Sequence, residues 1–384
     1  MAQDHAVPSH TMKVIISGGG TGGHIYPAIA MADALKKCKP KTDILFVGAI
    51  GKMEMTKVPE AGYPIVGLGI RGFQRKQIWK NGSLPFRLAA SLWRARRLLK
   101  DFKPDVVIGT GGYASTPVLY MATQQKIATL IQEQNATAGL ANRILARYVD
   151  TVCVAYPNMD TYFPSKKIVH TGNPIRADLM QLENKREAAR AHFGLDANKK
   201  CLLVLGGSLG SKTINKSILG TIDRLIEADL QVIWVAGRLY FEDIKTQLKH
   251  NQQSAIKIFP FIKSMDLAYA AADIVVSRAG ALAIAELCMA QKPVIFVPSS
   301  NVVADHQTQN VWPLVEKKAA LVIEDDKAIQ TLGQDILKLL RSEAQQKLLA
   351  RNIKDWAMPK ATTTIVKAIM RLAQGPTAES ERIT

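Results

Sequence analysis

A histidine occurs within the first glycine-rich segment of the chain, which runs from Ser17 to Leu35 (SGGGTGGHIYPAIAMADAL). The apolar residues before this segment predict a buried strand, and the apolar spacing within it predicts a helix. A strand, a glycine turn and a helix N-terminus together present backbone N–H groups to an anion. His24 lies at the mouth of that helix, and imidazole suits proton transfer near neutral pH. A lone histidine is more often structural, but few structural histidines lie at such a turn, so His24 is a candidate base.

The same segment satisfies G-x-G-x-x-G through Gly18, Gly20 and Gly23, which alone is a weak signature of a dinucleotide site. Such a site also needs an acidic residue at the end of the second strand to bind the ribose. The second predicted strand, 44–47, is followed by Gly-Ala-Ile-Gly without an acid. We therefore expect no nicotinamide cofactor.

Three later features suit a phosphorylated sugar ligand. Arg176 follows a predicted strand, and an arginine fork binds phosphate oxygens in a bidentate way. Glu286 lies about one and a half turns into a predicted helix, where its carboxylate can accept hydrogen bonds from vicinal ribose hydroxyls. The glycine turn 206–211 offers backbone donors and a helix N-terminus to a phosphate. The alternatives are a solvated glutamate at 286 and a tight turn without a ligand at 206–211.

The polar segment Gln132-Glu133-Gln134-Asn135 also ends a predicted strand. Polar side chains at a buried strand end are costly unless they bind something, which favours a ligand-binding role for this segment. The turn Asp305-His306-Gln307 follows Pro298 as a further polar loop. The sequence contains no D-x-D and no His/Cys cluster with metal-ligand spacing. We therefore expect a diphosphate to be neutralised without a metal, by Arg176, helix dipoles and backbone amides.

The elements that position these residues form two similar halves. Strands alternate with helices from Lys13 onward, and the pattern starts afresh at Cys201, which predicts two tandem Rossmann-like, doubly wound α/β domains. We place the N-terminal domain at 12–173 and the C-terminal domain at 174–358, and we expect their ligand-binding sheet edges to face a cleft. The predicted strands are 13–17, 43–47, 63–68, 105–109, 128–132, 151–155, 201–205, 231–235, 256–259, 273–277, 293–297 and 320–323.

Composition excludes several classes of protein. Apolar residues make up 47% and charged residues 21% of the 384 residues, which is typical of a globular protein. The four scattered cysteines indicate free, mostly buried thiols in a reducing compartment. No signal peptide and no apolar run of transmembrane length occur, and residues 1–11 and those from Gln374 are expected to be flexible. The net charge of +18 indicates an acidic partner, but no nucleic-acid-binding module with interleaved aromatics is present, so we expect no nucleic acid.

Six short motifs occur in order along the chain. They are Gly18-Gly-Gly-Thr-Gly-Gly-His24, Gly111-Gly-Tyr113, Glu133-Gln-Asn135, Gly172-Asn-Pro-Ile-Arg176, Gly206-Gly-Ser208 and the segment from Ser277 to Glu286. In this order they resemble the MurG family of peptidoglycan glycosyltransferases, which add N-acetylglucosamine to undecaprenyl-diphosphate-linked N-acetylmuramoyl-pentapeptide. The likeness runs from about Lys13 to Leu372, and six ordered motifs are far more specific than any one of them.

The resemblance implies a GT-B-type fold, UDP-N-acetylglucosamine as donor, inversion at the anomeric carbon, and a last helix, 360–374, that crosses back onto the first domain. It also implies residue roles. The sugar would be bound by Thr21, Gly22, Gly23 and Asn135, the diphosphate by Arg176 and Ser208, the uracil by the backbone of Ile262, and the ribose and diphosphate side by Ala281, Leu282, Ala283, Ile284, Ala285, Glu286 and Gln307. The family commonly has histidine where this chain has Gln132, so no histidine at 132 transfers a proton here.

In such a reaction the 4-hydroxyl of the acceptor loses a proton as it attacks the anomeric carbon opposite the UDP. A base with a pKa near neutrality serves this best, and we expect His24 in that role, with Glu133 as the alternative. Competing functions are a UDP-sugar epimerase, another UDP-sugar:lipid glycosyltransferase of the same fold, and a non-catalytic sugar-nucleotide sensor, which would not need His24.

A helix predicted from Ser83 and Pro85 to about Phe102 carries aromatic residues away from its apolar stripe. The stripe of Leu88, Leu92, Ala95, Leu99 and Phe102 is expected to face the core. Phe86 and Trp93 fall opposite it among cations, and Ile78 and Trp79 repeat the mixture upstream. This pattern is typical of an interfacial anchor on an anionic membrane, and the alternative is that another part of the protein covers the aromatics. We therefore expect a peripheral protein on the cytoplasmic face of the inner membrane.

Overall fold

A computed structural model describes residues 11–70, 84–207, 209–300 and 305–375. The chain divides into two compact units. The N-terminal unit contains Met1–Pro174 together with Lys360–Thr384, and the C-terminal unit contains Ile175–Pro359. Most of the expected flexible leader and tail lies outside the described residues.

The described part of the N-terminal unit contains a seven-stranded sheet in the order β3-β2-β1-β4-β5-β6-β7. All neighbouring strands pair in parallel. The central strands are apolar over most of their length and are buried on both faces, as expected for a parallel sheet covered by helices. The strands are β1 (Lys13–Gly18), β2 (Asp43–Ala49), β3 (Ile65–Leu68), β4 (Val106–Gly111), β5 (Ala128–Glu133), β6 (Thr151–Val154) and β7 (Ile168–His170).

Helices cover this sheet in two separate layers. One core cluster joins α1 and α14 to the sheet, and the other joins α3, α4 and α5 to it. The chain therefore returns to the N-terminal unit in its last helix, which packs against α1. The helices are α1 (Gly22–Cys38), α2 (Glu54–Glu60), α3 (Leu84–Phe102), α4 (Ser115–Gln124), α5 (Leu140–Leu145) and, after those of the second unit, α14 (Ala361–Gln374).

The described part of the C-terminal unit repeats this plan with a six-stranded parallel sheet in the order β10-β9-β8-β11-β12-β13. Its strands are β8 (Cys201–Leu205), β9 (Gln231–Val235), β10 (Ile256–Phe259), β11 (Ile274–Ser277), β12 (Val294–Phe296) and β13 (Leu321–Val322). Its helices are α6 (Arg186–Phe193), α7 (Lys212–Glu227), α8 (Phe241–Gln247), α9 (Met265–Ala271), α10 (Ala281–Ala290), α11 (His306–Glu316), α12 (Ala328–Arg341) and α13 (Glu343–Lys354).

These sheets confirm the predicted pair of doubly wound α/β domains, and each predicted strand overlaps an observed one. The sequence interpretation missed β7, whose three residues are too short for a periodic signal. The last helical segment of the C-terminal unit consists of two helices, α12 and α13. Ser342 separates them and caps the second, because its hydroxyl accepts a hydrogen bond from the Gln345 N–H at 3.3 Å.

Candidate active site

The glycine turn after β1 packs directly against the loop after β4. The Gly19 N–H donates to the Gly111 carbonyl at 3.3 Å. Gly112 has φ +87°, and a Cβ there would lie 2.4 Å from the Gly19 oxygen. Only glycine permits this approach of backbone to backbone, so the two loops at this edge of the sheet hold each other in place.

His24 lies half-buried above this contact. Its Nδ1 atom is 2.9 Å from the Gly19 carbonyl oxygen. Because a carbonyl can only accept, Nδ1 carries the proton and, in the neutral ring, Nε2 has the free lone pair. A Cβ on Gly111 would lie 2.9 Å from Nε2, so the glycine makes room for the ring. The geometry gives His24 the tautomer that a base acting through Nε2 needs.

Of the other predicted sugar-binding positions, Thr21, Gly22 and Gly23 continue this turn, and Asn135 follows β5. Thr21 and Gly23 are exposed, and Gly22 and Asn135 are half-buried. Thr21 precedes α1 in an extended conformation, and its side chain makes no capping hydrogen bond within the described chain. The first amides of α1 are therefore left without a side-chain cap.

Glu133, the alternative base, is buried and its carboxylate accepts four hydrogen bonds. One oxygen accepts from the N–H and the side-chain amide of Asn135 at 3.1 and 3.2 Å. The other accepts from the Gly139 N–H at 3.0 Å and the Asn142 amide at 2.9 Å. A carboxylate occupied in this way holds the loop 134–139 and has no free lone pair directed at a substrate. The structure therefore does not support Glu133 as the base.

The neighbouring glutamines satisfy each other as well. The Gln132 amide donates to the Asn173 side chain at 3.0 Å and accepts from the Gln134 amide at 2.6 Å. Gln134 also donates to the Thr110 carbonyl at 2.8 Å, and Asn173 donates to the Gln134 carbonyl at 3.0 Å. Partners within the protein thus offset the cost of burying the first three members of this polar quartet, so their burial does not by itself require a ligand.

Glu54, at the start of α2, is a site residue that the sequence interpretation missed. It is 1% exposed. Its carboxylate accepts hydrogen bonds from the Ala49 N–H at 2.9 Å and from the Gly20 N–H at 2.8 Å. It therefore joins the end of β2 to the glycine turn of His24. The nearest sequence signal is an acidic residue shortly after β2, but a carboxylate occupied by two backbone donors is not the ribose acceptor of a dinucleotide site.

In the C-terminal unit, Arg176 and Glu286 are partners in one cluster. The Arg176 guanidinium donates to the Lys263 carbonyl at 3.2 Å and approaches the Glu286 carboxylate at 3.5 Å. The second Glu286 oxygen accepts from the Tyr269 hydroxyl at 2.9 Å. Burial raises the pKa of Glu286 above its ordinary value of 4.5, although Arg176 and the Tyr269 hydroxyl lower it. Burial and the neighbouring Glu286 also raise the pKa of Tyr269 well above 10.

Two helix N-termini at this sheet edge differ in their capping. The Ser211 hydroxyl caps α7 by accepting from the Ile214 N–H at 3.2 Å. Helix α10 begins after Gly280, which has no side chain to cap it. The predicted ribose and diphosphate positions Ala281 to Ala285 form the first turns of α10, and the N-terminus of a helix is a place where anions bind. Ser208 lies outside the described residues.

The remaining predicted donor residues lie in the loops after β10 and β12. Ile262 is buried, and among the described residues neither its N–H nor its carbonyl has a hydrogen-bond partner. Gln307 lies in the first turn of α11, and its side-chain oxygen accepts from the Ser299 N–H at 2.8 Å. Gln307 thus fixes the loop before α11, and its side-chain amide group remains available to a ligand.

Helix α3 exposes the two aromatic residues that were predicted to face outward. Phe86 is 80% and Trp93 is 65% exposed within the described protein. The Arg97 guanidinium lies 6.0 Å from the centre of the Trp93 ring, a cation–π geometry. Ile78 and Trp79 lie outside the described residues.

The inward face of α3 differs from the prediction at its first position. Ala95 and Leu99 are buried as expected, but Leu88 is 41% exposed. Ser91 is buried in the first half of the helix instead. Leu88 therefore belongs to the exposed apolar surface of α3 and not to the core.

No described helix combines the length and the apolar character that crossing a bilayer requires. No group of three or more histidine, cysteine, aspartate or glutamate residues in the described ranges is placed to hold a metal ion.

Comparison with known proteins identifies the two halves of the chain. Residues 14–154 match the glycosyltransferase family 28 N-terminal domain, and residues 201–365 match the glycosyltransferase family 28 C-terminal domain. The protein named UDP-N-acetylglucosamine–N-acetylmuramyl-(pentapeptide) pyrophosphoryl-undecaprenol N-acetylglucosamine transferase of Amoebophilus asiaticus is 51% identical, over 93% of this chain and 99% of the relative. The protein of the same name from Parabacteroides distasonis is 49% identical, over 94% and 98%.

Solved structures agree with these relatives. The crystal structure of Acinetobacter baumannii MurG is similar with a TM-score of 0.73 and 29% identity, and the match covers 94% of this chain and 99% of that one. A UDP-N-acetylglucosamine 2-epimerase matches with a TM-score of 0.64 at 14% identity, which shows a shared fold alone. The fold is thus the two-domain GT-B α/β fold, and the chain belongs to glycosyltransferase family 28 and, within it, to the MurG family of N-acetylglucosamine transferases.

Proposed function

We propose that this enzyme transfers N-acetylglucosamine from UDP-N-acetylglucosamine to the 4-hydroxyl of undecaprenyl-diphosphate-linked N-acetylmuramoyl-pentapeptide, with inversion and without a divalent metal. The names of relatives that match over nearly their whole length support the substrates. The observation that carries the chemistry is the hydrogen bond from His24 Nδ1 to the Gly19 carbonyl, which leaves Nε2 as a proton acceptor.

In the proposed reaction the acceptor oxygen attacks the anomeric carbon on the face opposite the UDP. The new carbon–oxygen bond forms as the bond to the diphosphate breaks, so one displacement inverts the configuration. The hydroxyl proton passes to His24 Nε2, and the electron pair of the broken bond leaves with UDP. Glu133 holds the loop that carries Asn135 and does not transfer the proton.

The C-terminal unit binds the UDP part of the donor in this proposal. The Glu286 carboxylate accepts hydrogen bonds from the ribose hydroxyls, and the Ile262 backbone, which is unpaired within the described chain, reads the uracil. Arg176, paired in the structure with the Lys263 carbonyl and Glu286, lies where it can exchange a weak 3.5 Å contact for a diphosphate oxygen. The other proposed donor-binding residues are Thr21, Gly22, Gly23, Asn135, Ser208, Ala281, Leu282, Ala283, Ile284, Ala285 and Gln307.

In this proposal, groups that are held in place by the fold stabilise the negative charge on the leaving UDP. The Arg176 guanidinium, the N-terminus of α10 and the loop amides supply positive charge and N–H donors where negative charge develops. The absence of a D-x-D sequence supports a metal-independent reaction.

The acceptor's polyprenyl chain stays in the bilayer, so the enzyme must reach the membrane surface. Phe86 and Trp93, exposed on a helix with Arg94, Arg97 and Lys100, support binding to an anionic leaflet. We propose a peripheral location on the cytoplasmic face of the inner membrane.

Transfer of radiolabelled N-acetylglucosamine from UDP to a polyprenyl-diphosphate muramoyl-peptide tests this function. We expect labelled lipid and UDP release that both depend on the acceptor. Conversion of UDP-N-acetylglucosamine to its 2-epimer without an acceptor would instead favour the epimerase alternative, and donor binding without turnover would favour a sensor.

A further inference from the structure

The buried carboxylate of Glu54 sits in a space that two glycines provide. A Cβ on Gly19 would lie 2.2 Å from the carboxylate carbon, and one on Gly48 would lie 2.4 Å from Cγ. The carboxylate fills this space and accepts from Ala49 and Gly20 as described above. A charge removed from solvent needs such partners, and here both of them are backbone N–H groups.

One of these hydrogen bonds is connected to His24 through a single peptide group. The N–H of Gly20 and the carbonyl of Gly19 belong to the same peptide bond. Glu54 accepts from its N–H at 2.8 Å, and His24 Nδ1 donates to its carbonyl at 2.9 Å. In a trans peptide these two groups point in opposite directions, so the peptide lies between the carboxylate and the imidazole.

We propose that Glu54 is a positioning residue for His24, acting through the peptide bond between Gly19 and Gly20. This inference rests on the proposed role of His24 as the base. The carboxylate fixes the plane of the peptide, and the plane of the peptide fixes the direction in which Nδ1 must donate. Hydrogen bonds in a chain polarise one another, so the negative charge of Glu54 strengthens the carbonyl as an acceptor. The imidazolium that forms when Nε2 takes a proton is stabilised by the same chain.

The tautomer of His24 gives a direct test in the full-length enzyme without substrate. Nitrogen-15 NMR of histidine-labelled protein, with His24 assigned by its loss in His24→Ala, distinguishes protonated Nδ1 from protonated Nε2. We expect the Nδ1–H form in the wild type. We expect Glu54→Gln, which has one acceptor oxygen for two N–H donors, to shift His24 toward the Nε2–H form. A wild-type ring in the Nε2–H form would overturn the proposal, whatever the variant does.

Measurement of kcat for the Glu54→Gln variant provides a second test. We expect Glu54→Gln to lower kcat by about tenfold or more, on the scale of residues that orient another catalytic group, with UDP-N-acetylglucosamine affinity unchanged. The matched control is Asp105→Asn, because Asp105 accepts from the Lys13 N–H at 2.7 Å and so ties down the opposite end of β1. We expect the control to keep wild-type kcat.

An unchanged Nδ1–H tautomer in Glu54→Gln would overturn the proposal even if the rate fell, because the loss would then be structural. Equal loss of kcat in both variants would overturn it as well. Failure of the proposed function is distinguished by a different variant. If His24→Ala keeps its transfer activity, His24 is not the base. The NMR result reports only whether Glu54 controls the tautomer of the ring.

Discussion

The two glycine turns of this protein follow the same strand-turn-helix pattern but are built differently. After β1, the turn leaves α1 without a side-chain cap in the described chain and holds the His24 ring by a backbone carbonyl. After β8, Ser211 caps α7 with its own hydroxyl. There Gly210 packs on the loop after β9, where a Cβ would lie 2.2 Å from the Ala236 carbonyl oxygen.

This difference shows that a glycine turn alone does not determine which functional group acts beside it. In the N-terminal unit the turn orients a titratable side chain. In the C-terminal unit the residues suited to ligand binding lie away from the turn after β8, since Glu286 is in α10 and Arg176 is in the segment before α6. If this difference is correct, a change at His24 should affect turnover and a change at Glu286 should affect donor affinity.

The largest effect is expected from the N-terminal turn. His24→Ala should lower turnover by about 100-fold or more, the usual contribution of a positioned base, with UDP affinity retained. Steady-state transfer kinetics and calorimetry measure the two quantities. His24→Asn serves as control, because its amide can donate to the Gly19 carbonyl but cannot act as a base; recovery of activity in that variant would reduce His24 to a structural role.

A substitution of Glu286 tests whether the C-terminal unit determines donor affinity. Glu286→Ala should weaken donor binding by about 1–3 kcal/mol through lost hydrogen bonds to a charged acceptor. Calorimetry with UDP-N-acetylglucosamine measures this. Donor affinity unchanged by the substitution would remove Glu286 from the ribose site.

The pH dependence of donor affinity sharpens this assignment. Burial raises the pKa of Glu286 above 4.5, so its carboxylate gains a proton at a higher pH than an ordinary glutamate does. Donor affinity should therefore decline on acidification before pH 4.5 is reached, and Glu286→Gln should abolish that decline.

The raised pKa of Glu286 also affects the stability of the fold. Ionised Glu286 is less favourable in the folded than in the unfolded state, so the free energy of unfolding decreases as pH rises from 4.5 through the raised pKa. A thermal melt at neutral pH should show Glu286→Gln to be no less stable than the wild type.

A smaller effect is expected at the surface of α3. Phe86→Ser combined with Trp93→Ser should reduce sedimentation with anionic vesicles several-fold, through lost burial of aromatic area at the interface, while UDP affinity stays the same. The matched control is Trp312→Ser with Ile329→Ser, which removes exposed apolar side chains from the C-terminal unit. Equal vesicle binding by wild type and the α3 variant would exclude this face.

No effect is expected from chelation. The transfer rate in EDTA should equal the rate without EDTA, because Arg176 and the N-terminus of α10 supply the positive charge that stabilises the leaving UDP. Loss of activity that magnesium restores would contradict the metal-independent proposal.

The fold was predictable because its signals are local. Buried strands such as Cys201–Leu205 are short apolar runs, and the helices after them carry a regular apolar spacing. The position of His24 at a helix mouth followed from the same local pattern. The exposure of Phe86 and Trp93 could be predicted from helical periodicity alone.

The partners within the site were not predictable, because they lie far apart in the sequence. Glu54 reaches Gly20 across 34 residues, and Gln132 reaches Asn173 across 41. No periodicity reports such pairs, so a buried polar residue with an internal partner looks like one that awaits a ligand. The exposure of Leu88 has a related cause, since periodicity assigns a face of α3 but not how far the core extends along it.

A comparison at saturating donor tests most directly whether His24 transfers the proton and Glu286 binds the donor. We would measure single-turnover transfer by His24→Ala and Glu286→Ala over rising concentrations of UDP-N-acetylglucosamine. We expect Glu286→Ala to approach the wild-type rate once the donor saturates it, whereas His24→Ala should stay about 100-fold slower at every concentration. Recovery of His24→Ala by excess donor would contradict the assignment of proton transfer to the N-terminal glycine turn.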